Sequence, residues 1–236
     1  MRAQTAEEIV NKCITALGGE TAIKNYSNYK AAGEMKLYFG QRHISGKVTM
    51  IQKGVKSRMK GEISFGSREY TLLRAYDGTT AWMEQRGTVI DRPALNFQSD
   101  ADHTPSLLLE KGATFSLARE TEIEGKKVTG IEVSFKGKKT TFFIDQTDYI
   151  ILEILFKDLY FGEKQTKENL EKRIRYLDYK KKDGTMFPFK RILFQKGEKD
   201  LEMHFNEISF NPQVSPDIFK RPDQKLDLHY REERFN

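Results

Sequence analysis

From Tyr29 onward, apolar and polar residues alternate almost one by one. Gly33, Met35, Leu37 and Phe39 interleave with Glu34, Lys36 and Tyr38. Ile44, Val48 and Met50 interleave with Lys47 and Thr49, and Val55, Met59, Ile63 and Phe65 with Lys56, Arg58, Lys60 and Glu62. Successive side chains of a strand point to opposite faces, so this spacing predicts strands with one apolar and one charged face. Gly40, Gly54 and Gly66 fall between the runs, and Asp77-Gly78 predicts a tight hairpin into 79–84. The signal returns over 114–121, 127–135, 139–145, 149–156, 173–179, 186–195 and 199–210, with turn residues such as Lys136-Gly137 and Asp183-Gly184 between them. The absence of alternating helical segments excludes βαβ units. It predicts a mainly β fold, one strongly curved antiparallel sheet of about ten or eleven strands.

Three stretches depart from this period. Thr5-Ala6-Glu7-Glu8 has the form of a capping box, Ile9, Val10, Cys13, Ile14 and Leu17 follow at helical spacing, and Gly18-Gly19 supplies a stop. An N-terminal helix is predicted there. Residues 93–112 hold Pro93, Pro105, Asp100-Ala101-Asp102 and the apolar run Leu107-Leu108-Leu109, and read as short helices or a loop lying over the sheet as a lid. The Lys- and Glu-rich stretch 162–172 reads as a long exposed loop.

Residues 1–236 are read as a single domain, because all-β barrels reach this length as one unit. Hydrophobic residues make up 38% of the chain, which supports a sizeable core and excludes a disordered chain. The formal charge of +6 comes from 40 Lys and Arg against 34 Asp and Glu, interspersed along the sequence. That distribution is a solvated surface and not a nucleic-acid stripe. The lone Cys13 lies on the apolar stripe of the predicted helix, so it is read as a buried hydrophobe; it allows no intrachain disulfide.

Catalytic signatures are missing. His43, His103, His204 and His229 lie far apart, and no nucleophile elbow, phosphate loop or dinucleotide fingerprint occurs. Glu34, Glu62 and Glu153 fall on the strand face read as outward and solvated. The expectation is a protein without enzymatic activity and without a cofactor. A curved sheet that does not close tightly has more interior than its own side chains fill, and such interiors hold apolar ligands. The candidate lining is Met35, Leu37, Val48, Met50, Met59 and Ile63, bordered by Trp82 and covered by Phe97, Leu107 and Leu108, with the methionines giving a deformable wall.

Several segments together resemble one family. Ala16-Leu17-Gly18-Gly19 precedes a first strand carrying Gly33, and Tyr76-Asp77-Gly78-Thr79-Thr80-Ala81-Trp82 forms a hairpin of the family's type. Asp178-Tyr179, Asp183-Gly184, Phe187-Pro188, Phe205-Asn206-Glu207-Ile208, Asn211 and Phe219 to Pro222 follow its closing pattern. The chain is similar to the outer-membrane lipoprotein-sorting proteins of the LolA/LolB-like superfamily. The resemblance implies a half-open antiparallel barrel with an N-terminal helix and short lid helices, holding lipid or lipoprotein acyl chains in its cavity. It implies a monomer located in the periplasm with its export signal removed, and transport proteins of the inner or outer membrane as partners. In the carrier of that family an early-strand arginine holds the lid closed, and Arg42 and Arg58 are both candidates for that role here. Two alternatives stay open: an interaction scaffold of the same fold with a self-filled core, and an enzyme using the barrel cavity.

Overall fold

The computed structural model describes residues 4–65, 68–85, 87–92, 104–161 and 167–222. Helix α1 (Ala6–Ala16) opens with the predicted capping box: Glu8 N donates to Thr5 Oγ1 at 3.2 Å, and Thr5 N donates to the Glu8 carboxylate at 2.9 Å. Both backbone donors at the helix start are thereby satisfied. The helix stops at Gly18, whose φ of +109° suits glycine, and a Cβ there would lie 2.2 Å from the Gly184 carbonyl oxygen. Left-handed backbone and close approach both demand glycine at this position. A second short helix, α2 (Glu20–Asn25), follows.

The strands form two meanders. The first comprises β1 (Asn28–Phe39), β2 (Arg42–Lys53), β3 (Lys56–Phe65), β4 (Arg68–Tyr76), β5 (Ala81–Gln85) and β6 (Thr88–Arg92). The second comprises β7 (Thr114–Ile123), β8 (Lys126–Phe135), β9 (Lys138–Asp145), β10 (Ile151–Phe161), β11 (Lys167–Lys182), β12 (Thr185–Gln195) and β13 (Glu198–Phe210). An antiparallel β1–β13 ladder joins them into one thirteen-stranded sheet in the order β6-β5-β4-β3-β2-β1-β13-β12-β11-β10-β9-β8-β7. Thirteen strands replace the expected ten or eleven. Residues 167–172, read as loop because of their charges, are the start of β11 and pair with β10.

Strands β6 and β7 are consecutive in the chain yet lie at opposite edges of the sheet, which is therefore open between them. The described part of their connection contains a 3-10 helix at Pro105–Leu109, called here the bridging helix. Its Leu107 and Leu108 are buried in the main core, and Ser106 Oγ donates to the Ile23 carbonyl of α2 at 3.3 Å.

Register sorts the side chains into an inner face, covered by α1, α2 and the bridging helix, and an outer face. Ala31, Met35 and Leu37 stand opposite Met50, Gly46 and Ile44 of β2, while Met50 and Gly46 stand opposite Met59 and Ile63 of β3. Met35, Leu37, Val48, Met50, Met59 and Ile63 thus share the inner face; Leu37 and Met50 are half-buried and the others buried. Phe39 and Val55, which alternate in phase with them, are exposed at strand ends. Helix α1 brings Ile9, Val10 and Cys13 into the same core as Ile131, Val133, Phe142 and Ile154. Each such side chain contributes about 1.5–3 kcal/mol when fully buried.

Two outer-face details correct the sequence reading. Glu153 is only 4% exposed, because Arg175 donates to it through Nε at 3.0 Å and Nη2 at 2.9 Å. Trp82 packs with Leu73 and Ala75 on the outer face, where its Nε1 donates to the Phe219 carbonyl at 3.0 Å. Phe219 belongs to a second 3-10 helix, Pro216–Phe219.

Candidate functional site: a cavity beneath the bridging helix

The inner face is not filled evenly. A cavity of about 110 Å³ remains between the wall of β1–β4 and β11–β13 and a cover made of the end of α2 and the start of the bridging helix. Met50, Met59, Ile174, Leu193, Leu201 and Met203 supply its apolar wall, and Tyr26, Thr104 and Pro105 its cover. Gly61 keeps the wall close: a Cβ there would lie 3.0 Å from Met35 Sδ, so Met35 can lie across the strand without meeting a side chain.

The expected lining residues separate into groups. Met50 and Met59 border the cavity directly, whereas Met35, Val48 and Ile63 belong to the packed core beside it on the same face. Leu107 and Leu108 anchor the bridging helix into that core. Phe97 lies outside the described residues. Trp82 does not border the cavity, since Ala75↔Trp82 and Arg74↔Met83 are adjacent pairs of one ladder and Trp82 takes the outer phase. Arg42 is exposed at the end of the β1–β2 hairpin, opposite Phe39, and is not a lining residue. Arg58 is a lining residue, but its ladder partners Ile51 and Ala75 place it in the outer phase, where Glu84 supports a charge that burial opposes.

Sequence reasoning passed over Arg191. Phe187, Phe189, Arg191 and Leu193 share one phase of β12, which puts an arginine in an apolar register. That phase was the available signal. The structure buries Arg191 to 8% exposure, opposite Tyr176 of β11 and Met203 of β13. Its guanidinium carbon lies 4.7 Å from the Phe187 ring centre, 4.9 Å from Tyr29, 5.4 Å from Tyr176 and 5.5 Å from Phe205. These faces stabilise a cation through their quadrupoles. Nη1 donates to the Tyr29 hydroxyl at 2.8 Å, while Nε and Nη2 are buried without an acceptor among the described residues.

The neighbouring phenols do not neutralise this charge. Burial pushes the Tyr176 hydroxyl up to about 12 even though Arg191 beside it acts the other way, and burial likewise raises Tyr26. Both stay protonated at neutral pH and offer dipoles only. A buried charge without a counter-ion costs several kcal/mol, roughly, after relaxation, so the cage offsets part of a real penalty. Cys13 is fully buried and its thiol is pushed far up by desolvation, which makes it the inert hydrophobe expected.

A larger groove of about 660 Å³ lies over Glu34, Lys47, Glu62, Glu202 and His204. Its lining mixes charges of both signs from the outer phase of the strands with Met35, Ile63 and Tyr70 of the inner phase. Among the described residues no group of His, Cys, Asp or Glu could hold a metal ion, and no helix is long and apolar enough to cross a membrane.

A half-open antiparallel sheet wrapped around an N-terminal helix, with a segment bridging its open edges, defines the LolA-like fold. The chain has that fold. It is similar to a LolA superfamily protein from Nitrosomonas europaea, with 14% identity, a TM-score of 0.54, and coverage of 93% of this chain and 99% of that one. It is also similar to a DUF1329 family protein from Desulfovibrio piger, with 11% identity, a TM-score of 0.52, and coverage of 92% and 98%. No family model and no curated protein matches at the level of sequence.

Proposed function

We propose that this protein is a non-catalytic binding module for a lipid or lipoprotein acyl chain, working as a monomer in the periplasm in transport or sorting towards the outer membrane. The observation that carries the reading is the apolar cavity left between the methionine-rich wall and the bridging helix. An apolar cavity of about 150 Å³ admits a benzene ring, so about 110 Å³ admits a segment of chain and not a whole lipid. The bridging helix is the cover that has to shift for the remainder. Leu107 and Leu108 hold it down, and Leu37, Val48 and Ile63 extend the apolar path along the inner face. Membrane transport proteins are the partners that go with this role.

A second reading, an interaction scaffold with a self-filled core, draws on the packing of α1 along β7. Native mass spectrometry of the protein isolated from a lipid-containing host separates the two: a retained acyl lipid supports the binding module, and a bare chain that also fails to take up added fatty acid supports the scaffold. The cover is tested by Leu108→Asp, which sets a charge against apolar surface. It is expected to change the affinity for added fatty acid several-fold, roughly, and an unchanged affinity would remove the bridging helix from the binding event.

A further inference from the structure

The cavity has an unusual charge composition. Among the described residues its lining includes Arg58, Arg74 and Arg191, and no aspartate or glutamate. Arg58 has Glu84 to support it, and Arg74 is half-buried on the inner phase opposite Met59 and Met83. Arg191 is the enclosed one. Its guanidinium carries five N–H donors in a rigid planar fork, yet among the described residues only Nη1 finds an acceptor, the Tyr29 hydroxyl, while Nε and Nη2 have none. Buried donors with nothing to donate to are rare in folded proteins and call for an explanation.

The aromatic cage explains why the cation is tolerated. It does not explain why a cation is there, because a methionine or leucine in the same register would fill the space among Phe187, Tyr176 and Phe205 without leaving donors unmet. An acceptor arriving with the ligand does explain it. A carboxylate matches the guanidinium fork with two parallel hydrogen bonds, and a charge-assisted pair gains strength where water is excluded. The wall beside the fork, Ile174, Leu193, Leu201 and Met203, suits the hydrocarbon to which such a carboxylate is attached.

We infer that Arg191 is the anion-recognising residue of the cavity, and that the preferred ligand is an amphiphile bearing a carboxylate, a free fatty acid, whose head group is held at the Arg191 fork with its chain along the inner face. This rests on the binding function proposed above and narrows it to a class of ligand. The carboxylate takes the donors that Nε and Nη2 offer, and small shifts of the cage rings admit it. Tyr29 keeps its bond to Nη1 and acts as a positioning residue for the guanidinium.

The test compares three ligands of equal chain length, decanoic acid, 1-decanol and decyltrimethylammonium, by displacement of a neutral fluorescent hydrophobe at pH 8. Decanoate is expected to bind more tightly than decanol by about tenfold or more, with the ammonium compound weakest. In Arg191→Met the preference for the acid over the alcohol should vanish while decanol affinity stays within about threefold, because apolar contacts are kept. Arg191→Gln, which is uncharged but still able to bond Tyr29, should lose the preference too. It serves as the second variant if the methionine protein does not fold. Equal binding of acid and alcohol by the parent, or a preference that survives both substitutions, overturns the assignment while leaving a general apolar-ligand function intact. Failure of all three compounds to displace the probe instead defeats the binding function itself, and this inference with it.

Discussion

Along β7 the inner face meets α1, whose Ile9, Val10 and Cys13 share one packed core with Ile131, Val133 and Phe142 of β8 and β9. Over β1–β3 the cover is thinner, the end of α2 and the bridging helix, and a cavity is left. The residue choice differs in step. The plugged half uses β-branched and aromatic side chains with few rotamers, whereas the half bordering the cavity uses Met35, Met50, Met59 and Met203, which fill irregular space and rearrange at small cost. One sheet with one alternation therefore has two characters: a rigid core that carries stability and an adaptable, methionine-rich wall.

The sharpest way to break this comparison is to cut into both halves. Phe142→Ala, in the plugged half at 0% exposure, is expected to lower stability by about 3–5 kcal/mol in denaturant titrations. A loss below about 1 kcal/mol would mean that α1 is only loosely seated. A smaller effect is expected at the rim of the same half. Asp145 accepts from Thr147 N at 2.7 Å, from Asp148 N at 3.1 Å and from Lys126 at 2.8 Å. Burial alone would raise its carboxyl, but the Lys126 bond and these backbone donors outweigh it and hold it below the usual range. A depressed folded value means that the stabilisation is present above the unfolded value of about 3.9 and is lost as pH falls through the folded one. Asp145→Asn should therefore cost about 1–2 kcal/mol at pH 6 and progressively less as pH falls through the folded value, as read by thermal unfolding across that range.

Met50→Ala should have the smallest effect on stability, about 1 kcal/mol or less, since the side chain is half-buried and already borders empty space. It should still alter fatty-acid affinity, and a stability loss as large as that of Phe142→Ala would erase the distinction between the halves. Trp82 provides an internal control, because its indole is fixed on the outer face to Phe219. Its emission is expected to stay constant on ligand addition in both the parent and the Met50 variant.

Much of the fold was legible. The capping box, the glycine stop after Leu17, and the inner phase of β1 to β3 follow from local rules that tertiary contacts did not override. Strand β6 was not, because its side chains lie at an open edge and Val89 alone is not fully exposed, which leaves no alternation to read. The start of β11 was hidden by its lysines and glutamates, although Leu170, Ile174 and Tyr176 keep phase through it and Lys172 is buried with them. The site was less legible than the fold. Alternation tells which face a residue takes but not how deep the cover reaches, so Met35 and Met59 looked alike while only Met59 borders the cavity. Trp82 was placed by the hairpin that carries it, without counting its phase, and the apolar phase of Arg191 went unread for the same lack of counting.

The ladder between β1 and β13 bears on how the chain reaches this state. Tyr29 pairs with Phe210 and Leu37 with Leu201, so the seam that unites the two meanders forms between segments synthesised at opposite ends of the chain. Each meander is built of short-range hairpins that can zip early, but the seam has to await loop closure over most of the sequence, and non-local pairings of this kind slow folding. Helix α1 has to wait as well, because the strands that seat it belong to the second meander. Until they arrive, the apolar side of β1–β4 stands uncovered beside unpaired strand edges. Such a nascent chain is the kind of species that aggregates or engages a holding chaperone, so refolding yield should fall with concentration far more steeply than native solubility would suggest.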